Sequence, residues 1–210
     1  RLMAEFDTRA ILFATDPPYL VGYDGMNHPA SKRRRRAAGV ENRQSQVRKS
    51  GGTRTSPGSS AKRNANKDWS SSYGITWDDF DANPDLYDRF IGVATAHAIL
   101  PNAAWYCWHA SRRQAMVESV WEKHGAFVHQ QIIWCKDRPI LTRSWYSWQH
   151  EPCFFGWVRP NKPPRRASDV IPGVWQVPTV AVGAATEHPT SKPLALFEIP
   201  IRQHTRAGEV

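Results

Sequence analysis

Four consecutive residues, Asp16-Pro17-Pro18-Tyr19, combine groups that can hold a planar amine. The carboxylate of Asp16 and the main-chain carbonyl of Pro17 are two acceptors, one for each hydrogen of an exocyclic amine. The two prolines fix φ and remove two N–H donors, so the stretch presents acceptors in a rigid frame. Tyr19 offers a ring for stacking on a nucleobase that has left its duplex. The alternative is an ordinary turn after a strand, because Asp and Pro favour turns.

The segment before this motif must position it. Residues 9–15 read Arg-Ala-Ile-Leu-Phe-Ala-Thr, a short apolar run that stops at Asp16 and therefore predicts a buried strand. In parallel α/β sheets the working residues lie in loops just beyond the carboxyl ends of strands. Asp16 takes such a position, which favours a functional interpretation of the motif over a plain turn.

The rest of the chain alternates helical and extended patterns. Asn83 and Pro84 suit the start of a helix, and apolar residues at helical spacing continue it to Pro101. The further predictions are a strand at 103–109, a helix at 111–124 stopped by Gly125, strands at 127–136 and 151–158, a basic loop at 159–172, an extended piece at 174–177 and a helix at 191–205 with a kink at Pro200. This alternation predicts an α/β fold with a parallel-type sheet.

Positive charge is concentrated in one segment. The chain has a net charge of +9, and residues 32–67 contain twelve Lys or Arg residues and one acid, Glu41. The wider stretch 20–75 is rich in Ser and Gly and has almost no apolar periodicity, so we predict a mobile basic insertion. A localised positive excess suits a polyanion. The alternative, equally favoured by charge alone, is a solvated tract with no specific partner.

The three cysteines indicate neither a metal site nor a disulfide framework. Cys107, Cys135 and Cys153 are far apart and have no Cys or His at metal-ligand spacing. Each follows or precedes an aromatic or apolar residue, which indicates buried free thiols in a reducing, cytoplasmic setting. No stretch approaches the roughly 18 apolar residues of a membrane span, so we expect no membrane partner.

A second motif, His188-Pro189-Thr190-Ser191-Lys192-Pro193, suggests a family. It resembles the His-Pro-Thr-x-Lys-Pro signature of DNA amino-methyltransferases in the permuted (beta) arrangement, in which an Asp-Pro-Pro-Tyr motif comes first in the chain. Between the two, residues 130–136 resemble the family's strand ending in Trp-x-Lys, and residues 150–155 resemble its His-Glu segment before the next strand. The resemblance covers roughly residues 9–20 and 83–210, in the family's order.

This resemblance implies transfer of a methyl group from S-adenosylmethionine to the N6 amine of adenine in DNA. It implies that Asp16, Pro17, Pro18 and Tyr19 bind the target base. Asp16, together with His188, Pro189, Thr190 and Lys192, would form the cofactor pocket near its methionine end. Asp in the first place of the motif is typical of adenine N6, whereas cytosine N4 enzymes more often have Ser. From the residues alone, Thr190 and Ser191 are better explained as helix caps and Lys192 as a solvated lysine in a first helical turn.

The chain departs from the family pattern in two respects. We find no Asp-Pro-Phe-x-Gly-x-Gly cofactor loop, so we expect a partial Rossmann-like sheet of about four strands with flanking helices and three strands missing. Residues 1–210 would then be a catalytic domain incomplete at both ends, with the Gly-rich loop supplied by a second chain or segment. The insertion is long, and we expect Arg33, Arg34, Arg35 and Arg36 to contact DNA phosphates. The alternatives are methylation of RNA adenine and a catalytically silent nucleic-acid-binding subunit.

Other conspicuous residues receive structural interpretations. Trp105, Tyr106 and Trp108 are predicted to lie in the core, and His109 to be a structural histidine. Arg112 and Arg113 are predicted to form a solvated helix face. The aromatic residues 145, 146 and 148 either pack over a sheet edge, which we favour, or stack on unpaired nucleotides.

Overall fold

A computed structural model describes residues 8–22, 78–140, 145–180 and 191–209. The strands are β1 (Ala10–Thr15), β2 (Ile99–Trp108), β3 (Ala126–Ile140), β4 (Trp148–Val158) and β5 (Val174–Gln176). The helices are α1 (Leu86–Val93), α2 (Gln114–Lys123) and α3 (Ala195–His204). A π-helical turn (Ala94–Ala98) follows α1, and a 3-10 turn (Ser111–Arg113) precedes α2. No helix among the described residues is long and apolar enough to cross a membrane.

The five strands form one mixed sheet in the order β1-β2-β4-β3-β5. β1 runs parallel to β2, and β5 runs parallel to β3. β4 runs antiparallel to both of its neighbours, β2 and β3, so the expectation of a parallel-type sheet is wrong for this strand. The physical reason is the length of the connection. β3 ends at Ile140 and β4 begins at Trp148, and the segment between them is too short for the crossover that a parallel pair requires.

The first face of the sheet is covered by α1 and α2. Its core contains Trp105, Trp121 and Phe154, each at most 1% exposed, and the ring of Trp121 meets those of Trp105 and Phe154 edge to face. The predicted core positions in β2 are confirmed, since Ala103 to Trp108 are all buried. Gly125 adopts φ 79° just after α2, which confirms it as the helix stop.

The second face is covered by α3. Leu196 of this helix is fully buried against an aromatic layer of Trp108, Trp134 and Trp175. Pro200 lies inside the helix and is buried. The short strand β5, where the sequence predicted only an extended piece, adds Trp175 to this layer and brings the sheet to five strands. α3 contacts β1, and it therefore fixes the segment before it near the carboxyl end of that strand.

Several predicted boundaries are wrong. β2, β3 and β4 are longer than predicted, and the first helix begins at Leu86 rather than directly after Asn83. The helix expected to continue to Pro101 ends as α1 at Val93, and after the π-helical turn the chain is already extended at Ile99. The last helix begins at Ala195 rather than at 191. The later start of α3 matters for function, because it leaves Lys192 in a non-helical segment before that helix.

Candidate functional site

The Asp-Pro-Pro-Tyr motif lies at the carboxyl end of β1, as predicted. Thr15 is the last residue of the strand and pairs with Cys107 near the end of β2, and its hydroxyl donates to the carbonyl of Tyr106 at 3.3 Å. Asp16 follows immediately, and its side chain is 32% exposed. The carboxylate is thus held at the tip of a buried strand and remains accessible.

Lys192 joins the second motif to the first. Its ammonium Nζ lies 2.6 Å from Asp16 Oδ1, 2.7 Å from Tyr19 Oη and 3.2 Å from Glu151 Oε2. The side chain is only 7% exposed and lies above the rings of Tyr19 and Trp108. An ammonium has three protons, and three acceptors surround this one. The interpretation of Lys192 as a solvated first-turn lysine is wrong, because it is a buried ion paired with residues far away in the sequence.

Glu151 and Lys136 complete a charged cluster to which sequence reasoning assigned no role. Glu151 Oε1 accepts from Lys136 Nζ at 2.6 Å, and Oε2 accepts from the Tyr19 hydroxyl at 2.9 Å. Lys136 is 6% exposed and Glu151 23%. Both stand in segments already noted for their resemblance to the family. The sequence contained a signal for this cluster. Lys136 and Glu151 belong to apolar strands, and ions that are buried there must be paired.

The antiparallel direction of β4 explains how Glu151 reaches the motif. Glu151 lies opposite Trp134 in the amino-terminal half of β4. Because β4 is reversed, this half lies at the same end of the sheet as the carboxyl ends of β1, β2 and β3. A parallel strand would have carried Glu151 to the opposite end.

The cluster shifts the pKa values of its members. Burial, followed by the nearby carboxylates of Asp16 and Glu151, raises the pKa of the Tyr19 phenol far above its usual value, so Tyr19 stays neutral. Burial alone would raise the pKa of Glu151, but Lys192 and Lys136 outweigh it and hold that pKa below its usual value. Tyr19 therefore accepts from Lys192 and donates to an ionised Glu151.

The chain on either side of Tyr19 is also anchored. Tyr87 of α1 donates to the carbonyl of Pro18 at 3.1 Å. Leu20 is buried with φ 54°, and Arg113 Nε donates to its carbonyl at 2.8 Å. Arg112 donates to the carbonyl of Val21. The prediction of a solvated arginine face holds for Arg112, which is exposed, but not for Arg113, which is only partly so, and both guanidinium groups bind the main chain just after the motif.

The basic insertion leaves and returns beside this site. The amide of Gly22 donates to the carbonyl of Asp78 at 2.8 Å, so the two ends of the intervening segment lie together only three residues after Tyr19. Arg33, Arg34, Arg35 and Arg36 lie outside the described residues, as do His188, Pro189 and Thr190. Their predicted roles remain predictions.

The residues given structural interpretations have mixed outcomes. His109 is fully buried, its Nδ1 lies 3.2 Å from the carbonyl of Ala110, and burial lowers its pKa, in agreement with a structural histidine. Trp145 and Tyr146 are 100% and 88% exposed, so packing of these two rings over a sheet edge is wrong. Cys107 and Cys153 are buried as expected, whereas Cys135 is only partly so. Among the described residues no group of His, Cys, Asp or Glu is arranged to hold a metal ion.

No family model and no curated protein matches the sequence. Solved structures do resemble the fold. One is M1.HpyAVI in complex with SAM, with a TM-score of 0.50 and 21% identity over 60% of this chain and 63% of that chain. Another is the cytosine-N4-specific PvuII DNA methyltransferase, with a TM-score of 0.50 and 12% identity over 61% of this chain and 57% of that one. The chain thus spans less than two thirds of either protein. Over that part it shares their fold, with a partial Rossmann-like sheet.

Proposed function

We propose that this chain is the catalytic part of an enzyme that transfers a methyl group from S-adenosylmethionine to the N6 amine of adenine in DNA. One observation carries the proposal: Lys192 Nζ lies 2.6 Å from Asp16 Oδ1, so that two motifs distant in sequence form one site at the carboxyl end of β1. The fold likeness to a DNA methyltransferase supports the coarser statement, methyl transfer to DNA. The adenine assignment rests on the motif.

Asp16 and Pro17 would prepare the amine. The lone pair of an adenine amine is delocalised into the ring, and it becomes a better nucleophile when two acceptors hold both hydrogens and let the nitrogen become tetrahedral. With Asp16 Oδ1 engaged by Lys192, Oδ2 and the carbonyl of Pro17 are the acceptors offered. The neighbouring carbonyl of Pro18 is already bound by Tyr87. Asp16 acts by orientation and charge, and the amine proton leaves after transfer.

The charges present suit the cofactor's methionine end. S-adenosylmethionine, when bound, supplies a methyl group carried on a sulfonium sulfur. Its amino acid end has one carboxylate and one ammonium, and Lys192 and the partly exposed Asp16 are an ion pair of the complementary kind. We propose that these two hold it together with His188, Pro189 and Thr190. Lys192 would exchange one of its three present contacts to do so.

The test is to follow labelled methyl transfer to duplex DNA and identify the product nucleoside by mass spectrometry. N6-methyladenine supports the proposal, and N4-methylcytosine would contradict the base assignment. Asp16→Ala should abolish transfer. Glu122→Ala is the matched control, because Glu122 is an exposed carboxylate on α2, on the first face of the sheet.

The basic insertion is proposed to bind DNA. The chain on either side of it meets at the Gly22–Asp78 hydrogen bond next to the motif, so the insertion is joined to the protein beside the site. Deletion of residues 30–66 should weaken DNA affinity and flatten the dependence of affinity on salt concentration, because fewer counterions are released. Unchanged affinity and slope would refute this role. The same transfer assay on RNA oligonucleotides of matched sequence tests the alternative of RNA adenine methylation.

A catalytically silent or partner-dependent subunit is the alternative function. Such a subunit would keep the fold and the basic insertion and would need a partner to supply the Gly-rich cofactor loop. Calorimetric titration of the chain with S-adenosylmethionine separates the two, since a silent subunit would bind DNA without binding the cofactor. Transfer that appears only after a second protein is added would identify the partner as the source of the loop.

A further inference from the structure

Three segments that are distant in the sequence converge on one carboxylate. Glu151 receives Tyr19 from the first motif, Lys192 from the second, and Lys136 from the end of β3. We propose that Glu151 is a positioning residue, which sets the ring plane of Tyr19 and the place of the Lys192 ammonium before a base arrives, and that Lys136 in turn holds Glu151. This inference rests on the proposed function, since it concerns how the same site is prepared for its substrate.

The geometry assigns one task to each carboxylate oxygen. Oε1 binds Lys136, which lies beyond Trp134 on the neighbouring strand and is 4.9 Å from the Trp134 ring centre. Oε2 faces the motif and binds the hydroxyl of Tyr19 and the ammonium of Lys192. The first oxygen is therefore fixed to the sheet, and the second carries that fixed position to the two groups that would meet substrate.

Tyr19 needs such an anchor because it lies in the segment after a strand. A ring can contribute to stacking without further ordering cost only if its plane is already set. Its hydroxyl has two partners, donating to Glu151 and accepting from Lys192. When Lys192 exchanges a contact for the cofactor, the hydrogen bond from the Tyr19 hydroxyl to Glu151 remains. Glu151 therefore keeps the ring in place while Lys192 changes partner.

The charges also fit this role. Asp16 and Glu151 are balanced by Lys136 and Lys192, so the four ions are neutral together. In Glu151→Gln the side chain has one accepting oxygen and one donating nitrogen. It therefore cannot accept from Lys136 on one side and from Tyr19 and Lys192 on the other. A shorter carboxylate, Glu151→Asp, retains the charge but lies one methylene closer to the backbone of β4 and therefore farther from Tyr19. The pair of variants thus separates charge from reach.

The experiment compares Glu151→Gln, Glu151→Asp and Tyr19→Phe in the full-length protein. The assay uses DNA containing the sequence that the wild-type protein methylates, with S-adenosylmethionine saturating. We expect Glu151→Gln and Glu151→Asp to lower kcat by about 10-fold to 100-fold, the cost of a small misplacement in a preorganised site. Glu122→Gln, on the exposed face of α2, should retain wild-type kcat.

A double-mutant cycle isolates the route through Tyr19. In the Tyr19→Phe background, Glu151→Gln should cost clearly less in kcat than in the wild-type background, because the route through the hydroxyl is gone and only the contact with Lys192 remains. Equal costs in both backgrounds would overturn the inference, as would a Glu151→Asp variant with wild-type kcat. A loss explained wholly by a fall in folded protein, measured by thermal unfolding, would also overturn it. Wild-type protein that transfers no methyl group would instead refute the proposed function.

Discussion

The aromatic core around Trp121 and the charged cluster around Lys192 are attached to the same sheet, and the lysines of the second are nearly as buried as the rings of the first. Trp105, Trp121 and Phe154 are at most 1% exposed, and the side chains of Lys136 and Lys192 are 6% and 7% exposed. Their energetics differ. The first cluster gains free energy from burying apolar surface. The second removes ions from water, and ion pairing repays this cost only in part.

This difference separates the residues that hold the fold from those that serve the site. A well-packed apolar group of the same volume would stabilise the sheet at least as well as four buried or half-buried ions. Retention of ions at the carboxyl end of β1 is therefore better explained by orientation than by stability. Variants in the two clusters should accordingly affect different measurements.

The largest effect is expected from Trp121→Ala. This change removes a side chain that touches Trp105 and Phe154 across the first face, and should lower the free energy of unfolding by about 3–5 kcal/mol. Chemical denaturation measures it. The kcat of the protein that remains folded should change little, because no cluster ion contacts this ring. A large fall in kcat per folded molecule would show that the two clusters are not separate.

Lys192→Met should have the opposite pattern. It keeps the side-chain volume but removes the ammonium from Asp16 and Tyr19, so we expect kcat/KM to fall by about 100-fold. The fall in Tm should be smaller than for Trp121→Ala, because Glu151 keeps Lys136 and the partly exposed Asp16 can be hydrated. Steady-state kinetics and thermal unfolding of the same preparations provide the comparison. A variant that loses stability and retains kcat/KM would contradict it.

A smaller effect concerns the dependence of stability on pH. The two clusters should lose stability over different pH ranges. Burial lowers the pKa of His109, which packs on Phe154, so its neutral form is favoured in the folded state and its contribution is lost as pH falls below its usual value of 6.5. The pKa of Glu151 is lowered against burial by Lys192 and Lys136. Its contribution is therefore present above its usual value of 4.5 and is lost only at lower pH.

Unfolding curves at a series of pH values measure both windows. Glu151→Gln should reduce the loss of stability below pH 4.5 and leave the loss near pH 6 unchanged, and His109→Gln should do the reverse. Equal changes of both windows in either variant would contradict the assignment. The comparison requires no activity assay.

The sequence predicted the elements better than their directions. The apolar run before Asp16 and the periodicity of residues 111–124 depend on local spacing, and both elements are present. The reversal of β4 is not encoded in such spacing. It follows from the short connection after β3. That length can be read from the sequence, but the prediction of a parallel sheet was based on the alternation of elements and did not use it.

The candidate site was predicted in its parts, and only the family resemblance placed Asp16 and Lys192 in one pocket. Asp16 was placed correctly because a strand ending can be read from neighbouring residues. The contact between Lys192 and Asp16 joins positions 176 residues apart, and no local pattern reports such a distance. Glu151 was missed for the same reason as the direction of β4, since only the reversed strand brings it to Tyr19.

The hydrogen bond between Gly22 and Asp78 also has an evolutionary meaning. A polypeptide excursion whose entry and exit are joined can gain, lose or exchange residues at a small entropic cost, because the cost of closing a loop grows only slowly with its length. The sheet and its ions would not be disturbed by such changes. Segments of different length and composition can thus be joined at this stem while the charged cluster beside it is unchanged.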